Sequence, residues 1–170
     1  AAETAMGPIE EFDFDVAILF SDILFPLESL GMDLTYNPGP VFGSHVSDKN
    51  LNDLLIERNP INSLSFQAEA IERTLERLPE DKSLIGFVGG PWTLISYACG
   101  NSKKTEKLSL GTLETNLLND FILPLLEKNI ELQLKAGAET IMIFDSLAHQ
   151  LLEKDLSIYL SATFNHLINK

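Results

Sequence analysis

The chain has 170 residues, of which 45% are hydrophobic and 22% charged, and its formal net charge is −13. This balance is typical of an ordinary globular domain with one sizeable core and excludes a disordered segment. The negative charge argues against nucleic acid as a partner, because phosphate binding needs clustered lysine and arginine. Asp22, Glu28 and Asp145 interrupt the apolar segments, so no stretch approaches the roughly 20 apolar residues that cross a bilayer.

Cysteine content and the first residues bear on the compartment. Cys99 is the single cysteine, so the chain cannot form an internal disulfide, and a lone thiol fits a reducing compartment. No charged segment followed by an apolar one opens the chain, so nothing directs secretion and we expect a cytoplasmic protein. A plastid location would require a transit peptide upstream. Because Ala1 already lies inside a predicted helix, we expect the chain to be a fragment.

The first predicted elements are a helix and a strand. The helix is interrupted by Pro8 and ends near Phe12, and the strand covers residues 16–20. A short helical turn follows and ends at Gly31. Proline, glycine and asparagine within residues 34–42 indicate a small hairpin or an ordered loop.

The middle and last parts of the chain alternate between helices and strands. Ser47 is predicted to cap a helix to about Ile56, and Pro60 breaks the chain after it. The elements predicted beyond that point are a helix over 63–78, a strand over 84–88, a helix over 91–99, a helix over 113–136 kinked at Pro124, a strand over 140–144 and a helix over 154–168.

Each predicted strand is a run of aliphatic residues that stops abruptly on polar residues or glycine, at Asp22, Gly89 and Asp145. This pattern is typical of parallel strands buried on both faces, whose carboxyl ends open onto a shared site. Alternating helices and strands predict an α/β fold with right-handed crossovers. An eight-stranded barrel takes about 250 residues, so we expect residues 1–170 to be a single-domain part of a (β/α)8 TIM barrel.

Asp22 is the sharpest functional candidate. A carboxylate directly after five apolar strand residues lies near a core of low dielectric constant unless a ligand uses it. The alternative is that Asp22 caps the helical turn that follows, and the residues alone leave the two interpretations at even odds.

The glycines before Pro91 also allow two interpretations. Backbone N–H groups at the start of the helix could bind an anion, but no nucleotide-binding motif follows. Gly89 and Gly90 could instead let the strand turn sharply beside a bulky group. Tyr97 is close enough to the helix start for its phenol to reach the strand ends, although such a residue is more often part of the core.

The third strand end repeats the pairing of carboxylate and hydroxyl, as Asp145 and Ser146, with His149 three positions later. A Ser-His-Asp triad is weakly supported here, because no G-x-S-x-G elbow is present. The other histidines, His45 and His166, have no ligand spacing with the cysteine, so a zinc site is not predicted.

Several segments together resemble uroporphyrinogen decarboxylase. The matching segments, in order, are Ala17-Ile-Leu-Phe-Ser-Asp-Ile-Leu24, Gly31-Met32, Gly39-Pro40, Phe42, Leu84-Ile-Gly-Phe-Val-Gly-Gly-Pro-Trp-Thr-Leu94, Tyr97, Lys135-Ala-Gly-Ala138 and Ile143-Phe-Asp-Ser146. The agreement spans nearly the whole chain. The resemblance implies a (β/α)8 barrel of which this segment supplies the second through fourth βα units.

The resemblance also implies an activity. The family removes carboxyl groups from the four acetate side chains of uroporphyrinogen, giving coproporphyrinogen, and uses no metal or organic cofactor. Asp22 matches the family's aspartate that binds the pyrrole nitrogens, Tyr97 its tyrosine near the reacting side chains, and Ser146 its hydroxyl contact with the substrate. The family commonly forms homodimers, and its arginines and a substrate-binding histidine belong to segments before and after this one. The isolated fragment is therefore expected to be inactive.

Two alternatives stay open at this point. A corrinoid-linked methyltransferase with a related barrel would need a zinc site that activates a thiol, and Cys99 is the only cysteine in these residues. A non-catalytic tetrapyrrole-binding module would bind the porphyrinogen without releasing carbon dioxide.

Overall fold

The computed structural model describes residues 1–47, 49, 51 and 60–168. Most of the helix predicted from Ser47 to Ile56 lies outside the described residues. The elements before that gap are α1 (Ala2–Phe12), β1 (Val16–Ile18), α2 (Phe25–Ser29), β2 (Leu34–Tyr36) and β3 (Pro40–Phe42). Those after it are a 3₁₀ turn (Pro60–Leu64), α3 (Ser65–Leu75), β4 (Ser83–Gly89), α4 (Pro91–Ala98), α5 (Thr112–Leu117), a π-helical turn (Leu118–Ile122), α6 (Leu123–Lys135), β5 (Thr140–Phe144), a 3₁₀ turn (Ala148–Gln150) and α7 (Glu153–Leu167).

The predicted parallel sheet is confirmed, with β4 between β1 and β5. Ile18 pairs with Ile85, and Phe87 pairs with Met142. The hairpin predicted over 34–42 is also confirmed, because β2 and β3 pair antiparallel on either side of a tight turn. All three parallel strands therefore end at one edge of the sheet, as the site prediction requires.

Helices cover one face of this sheet. α1 packs on β1, α3 packs on β4, and α6 packs on β4 and β5. The covered face contributes Ala17, Leu19 and Leu84 to a core cluster that also contains Met6 and Ile71. Burial of these side chains stabilises the α-on-β layer.

The expectation that every strand is buried on both faces is wrong for the outer strands. Ile18, Phe20, Met142 and Phe144 are between 41% and 74% exposed, while their sequence neighbours point into the helical layer. The outer strands alternate because no described element covers their other face, and successive strand residues point to opposite faces.

β1 is shorter than the predicted 16–20, and Gln133 of α6 supplies the reason. Ile85 O accepts the Leu19 N–H at 3.0 Å. The next β4 residue whose backbone faces β1 is Phe87, and its N–H and C=O bond to the Gln133 side chain instead of to β1. Gln133 Oε1 accepts the Phe87 N–H at 3.0 Å, and its Nε2 donates to Phe87 O at 2.9 Å. β1 is thereby released from β4 after Leu19, and the strand ends splay apart.

Two predictions concerned prolines within helices, and they have different outcomes. The predicted interruption at Pro8 is wrong, because α1 continues to Phe12. Its buried Met6 and Ile9 pack in the core cluster on the covered face, which offsets the one hydrogen bond that a proline cannot donate. The predicted long helix does change geometry at Pro124, where the π-helical turn ends directly before α6 and Leu123 N bonds to Leu118 O.

The other boundaries move by a few residues, since helix ends are the least sharply coded part of a sequence. The helix predicted over 63–78 is divided into the 3₁₀ turn and α3. Among the described residues, every helix is too short or too polar to reach across a bilayer.

We predict that Gln133→Leu lowers the free energy of unfolding by about 2–4 kcal/mol, because it leaves the buried backbone N–H and C=O of Phe87 without partners. Denaturant unfolding measures this loss. Lys135→Ala, on the exposed side of the same helix, serves as the control and changes stability by less than about 0.5 kcal/mol. Equal stability of the Gln133 variant and wild type would contradict the proposal that the hydrogen bonds of Gln133 to Phe87 stabilise β4.

Candidate functional site

A cavity of about 550 Å³ opens at the carboxyl ends of the parallel strands. Its wall is formed by Phe20, Ser21, Asp22, Ile23, Phe87, Phe144 and Ser146. Phe87 stands between Phe20 and Phe144, with ring centroids 5.8 Å from each. The cavity therefore combines an apolar aromatic row with one carboxylate and two hydroxyl groups, a composition typical of small-molecule sites.

Asp22 uses both carboxylate oxygens for hydrogen bonds. Oδ1 accepts the Leu24 N–H at 2.7 Å, which confirms that Asp22 caps the turn leading into α2. Oδ2 accepts the hydroxyl of Tyr36 at 2.6 Å. Since a carboxylate offers about four lone-pair sites, capping and ligand binding are compatible for this residue.

Tyr36 is the residue of this cluster that the sequence analysis missed. It forms the last pair of the hairpin, opposite Pro40, and the hairpin returns toward the end of β1. Partial burial, and then the hydrogen bond with Asp22, raise the pKa of the Tyr36 phenol well above its ordinary value of 10. The phenol therefore stays protonated at neutral pH and donates the hydrogen bond to Asp22. The sequence did show a tyrosine beside the predicted turn, but it did not indicate that the hairpin would pack next to Asp22.

Ser146 lies in the cavity wall with Asp22, as predicted, and it is exposed. His149 does not form a triad with it. The His149 Nδ1 lies 2.9 Å from the backbone carbonyl oxygen of Ser146. The neighbouring Asp145 bonds to other residues, so the Ser-His-Asp arrangement is absent from this part of the described chain.

Asp145 instead joins the end of β5 to the start of α4. Its Oδ1 accepts the backbone N–H and the hydroxyl of Thr93, both at 2.8 Å. Its Oδ2 accepts the hydroxyl of Tyr159, and that hydroxyl in turn accepts the Trp92 N–H at 2.9 Å. Burial and then the Asp145 charge raise the pKa of the Tyr159 phenol well above 10, so the phenol stays protonated.

The glycines before α4 follow from this close packing. A side chain at Gly90 would overlap Asp145, and a Cβ at Gly89 would lie 2.7 Å from the carbonyl oxygen of Ile23. Of the two interpretations, the sharp turn beside a bulky group is confirmed. The anion interpretation is wrong, because the Trp92 and Thr93 N–H groups already have acceptors within the protein.

Tyr97 is not among the residues that line the cavity at the strand ends. It lines a second, smaller cavity of about 180 Å³, beside His45 and Lys103. Its ring centroid is 6.3 Å from that of Phe42, so Tyr97 packs against β3 of the hairpin. The cavity wall thus contains two of the three predicted site residues, Asp22 and Ser146, and contact of Tyr97 with a substrate stays a prediction.

The described residues hold no group of three or more histidine, cysteine, aspartate or glutamate side chains arranged for a metal ion. Cys99 is partly buried, and burial followed by the charge of Glu114 raises the pKa of its thiol to about 12. A thiol with so high a pKa is a poor nucleophile at neutral pH.

The chain is similar to known proteins over its whole length. The family model for uroporphyrinogen decarboxylase (URO-D) matches residues 1–170. A protein of Campylobacter hominis named uroporphyrinogen decarboxylase is 41% identical over 162 residues, which cover 89% of this chain and 47% of that protein. The protein of that name from Campylobacter jejuni is 36% identical over 178 residues, covering 99% of this chain and 51% of its own length.

A solved structure has a similar fold. It is a methyltransferase from Methanosarcina mazei, with a TM-score of 0.75 and 21% identity over 98% of this chain and 53% of that one. At this identity the likeness concerns the fold alone. The chain spans about half the length of the curated relatives that it matches.

We predict that Tyr159→Phe destabilises the protein at pH 8 by about 1–3 kcal/mol, since the Trp92 N–H and Asp145 lose a partner. The difference from wild type should shrink above pH 10. Because the pKa of Tyr159 is raised in the folded protein, the phenol loses its proton at a lower pH in the unfolded chain than in the folded one. The stabilisation that Tyr159 contributes is therefore present below pH 10 and is lost as the pH rises further.

Denaturant unfolding at pH 8, 10 and 11 tests this. Tyr97→Phe, which removes a phenol outside the Asp145 network, is the matched control. A gap between wild type and the Tyr159 variant that stays constant from pH 8 to 11 would be inconsistent with the assigned role.

Proposed function

The chain belongs to the uroporphyrinogen decarboxylase family, and we propose that its protein converts uroporphyrinogen to coproporphyrinogen in haem or chlorophyll synthesis. The reaction removes the carboxyl groups of four acetate side chains. One observation carries the assignment to a site: the Asp22 carboxylate stands in the wall of a largely apolar cavity at the strand ends.

The chemistry requires a place for the electrons of the breaking bond. Protonation of a pyrrole ring carbon makes the ring a cation, and loss of carbon dioxide returns an electron pair to that ring. A proton then adds to the exocyclic carbon and the ring carbon loses its own, which leaves a methyl group. The cation is the high-energy intermediate of this sequence, so a fixed negative charge beside it lowers the barrier to decarboxylation.

Asp22 is suited to supply that charge. Two of its lone-pair sites are engaged by Leu24 and Tyr36, and the remaining sites can accept pyrrole N–H groups as charge-assisted hydrogen bonds. The aromatic row of Phe20, Phe87 and Phe144 offers an apolar wall for the macrocycle. We propose Asp22 as the catalytic residue.

Ser146 and Tyr97 are the other proposed substrate contacts. Ser146 shares the cavity with Asp22, and its exposed hydroxyl can donate to a substrate carboxylate. Tyr97 borders the smaller cavity, which residues of β3 also line and where an acetate or propionate side chain could extend.

We further propose that the single domain formed by residues 1–170 is part of a closed (β/α)8 barrel. The supporting observation is the uncovered sheet face with Ile18, Phe20, Met142 and Phe144, which would face the interior of such a barrel. The chain's coverage of about half of its relatives agrees with this. A homodimer, the lack of nucleic-acid partners, the cytoplasmic location and a reaction without cofactor stay predictions.

The methyltransferase alternative has less support. The relatives at 36–41% identity carry the decarboxylase name, whereas the methyltransferase likeness is at 21% identity. Metal analysis of the purified protein distinguishes the two, since a stoichiometric zinc ion would favour the methyltransferase. A tetrapyrrole-binding module would bind uroporphyrinogen and release no carbon dioxide.

We predict that Asp22→Asn in the full-length protein lowers decarboxylation at least a hundredfold, because the amide keeps the cap but loses the negative charge. Anaerobic conversion of uroporphyrinogen, followed as fluorescent coproporphyrin after oxidation, measures it. Asp33→Asn makes the same charge change on an exposed residue outside the cavity wall and should leave turnover within about twofold. Near-normal turnover by a folded Asp22 variant would contradict the proposal.

We also predict that the 170-residue chain alone has no decarboxylase activity. Its substrate carries eight carboxylates, and the described cavity wall holds a carboxylate and no cationic side chain. The chain's formal charge of −13 adds to this repulsion. The same assay, with a full-length relative as the positive control, tests it, and measurable turnover by the isolated chain would disprove it.

A further inference from the structure

Tyr36 makes a contact that the proposed reaction does not yet use. Its hydroxyl lies 2.6 Å from Asp22 Oδ2, although the two residues belong to different elements. Tyr36 is 51% exposed and does not belong to the cavity wall. It therefore approaches the carboxylate from the hairpin side, while the cavity lies on another side of Asp22.

The hairpin is anchored so that this approach is reproducible. Leu34 lies on the same face of β2 as Tyr36 and packs against the core. Phe42, which pairs with Leu34 across the hairpin, is buried. At the end of the hairpin opposite the turn, the Gly43 N–H donates to Asp33 O at 2.9 Å. Tyr36 thus extends from a fixed base toward the end of β1.

Two donors together determine the direction of the carboxylate. The Leu24 N–H engages Oδ1 and the Tyr36 hydroxyl engages Oδ2, so rotation about the Cβ–Cγ bond would break both hydrogen bonds. Neither donor occupies the cavity, and one lone-pair site on each oxygen stays available to a ligand. Without Tyr36, only the backbone of Leu24 would hold the carboxylate.

We propose that Tyr36 is a positioning residue of this site: by holding Oδ2 from the hairpin side, it aims the Asp22 carboxylate at the pyrrole nitrogens of the bound macrocycle. The inference rests on the proposed function. It gives the Tyr36 hydroxyl a role in the reaction, because a carboxylate that is already oriented stabilises the cationic transition state without reorganising during the reaction.

Steady-state kinetics of Tyr36→Phe in the full-length protein test the proposal. The variant loses only the hydroxyl, and we expect kcat to fall about tenfold while KM changes less than threefold. Thr35→Val is the matched control, since it removes a hydroxyl from the same strand that bonds to Val41 O and not to Asp22. The control should keep kcat and KM within twofold, and an unchanged kcat in the Tyr36 variant overturns the proposal.

An unfolding cycle tests the contact without any activity measurement. Tyr36→Phe should lower the folding equilibrium constant at least fivefold when Asp22 is present and less than twofold in an Asp22→Ala background. Equal effects in both backgrounds overturn the proposal, because Tyr36 would then act on the hairpin alone. Lack of turnover by wild-type protein overturns the proposed function and with it the catalytic use of Tyr36. Normal kcat in Tyr36→Phe overturns the Tyr36 inference alone.

Discussion

The fold depends on how backbone groups find partners where the parallel ladder stops. Beyond that point the sheet no longer supplies acceptors and donors, and a buried unpaired N–H is costly. Near each strand end a side chain supplies a partner for a backbone group. Asp22 accepts the Leu24 N–H after β1, Gln133 brackets Phe87 of β4, and Asp145 after β5 accepts the Thr93 N–H.

These replacements create the cavity as a consequence. Because Gln133 takes the place of the first strand beside Phe87, the end of β1 is free to diverge from β4. The divergence leaves room between Phe20 and Phe144, and Phe87 lines the floor between them. A residue in the helical layer thus shapes a pocket on the opposite side of the sheet.

The sequence was informative where a pattern is local. Aliphatic runs and glycine or proline boundaries predicted the parallel strands and the hairpin. The position of Asp22 after β1 indicated two alternatives, a cap and a ligand-binding carboxylate, without deciding between them. Polar pairs between distant segments left no such pattern. Tyr159 is 67 residues from Trp92, and Gln133 is 46 residues from Phe87. Their pairing depends on how helices dock on the sheet, which periodicity does not encode.

Asp22 and Asp145 show why position alone does not identify a catalytic carboxylate. Both follow a strand, and both cap a backbone N–H, yet Asp145 accepts three hydrogen bonds and is enclosed between α4 and Tyr159. Asp22 accepts two and faces the cavity. A carboxylate whose acceptor sites are consumed by the protein stabilises the fold, whereas one that keeps open sites toward an apolar cavity can bind cationic or N–H-rich ligands. The count of remaining lone pairs, combined with access to the cavity, therefore distinguishes Asp145 from Asp22, the residue proposed to act on the substrate, although the two segments have similar sequences.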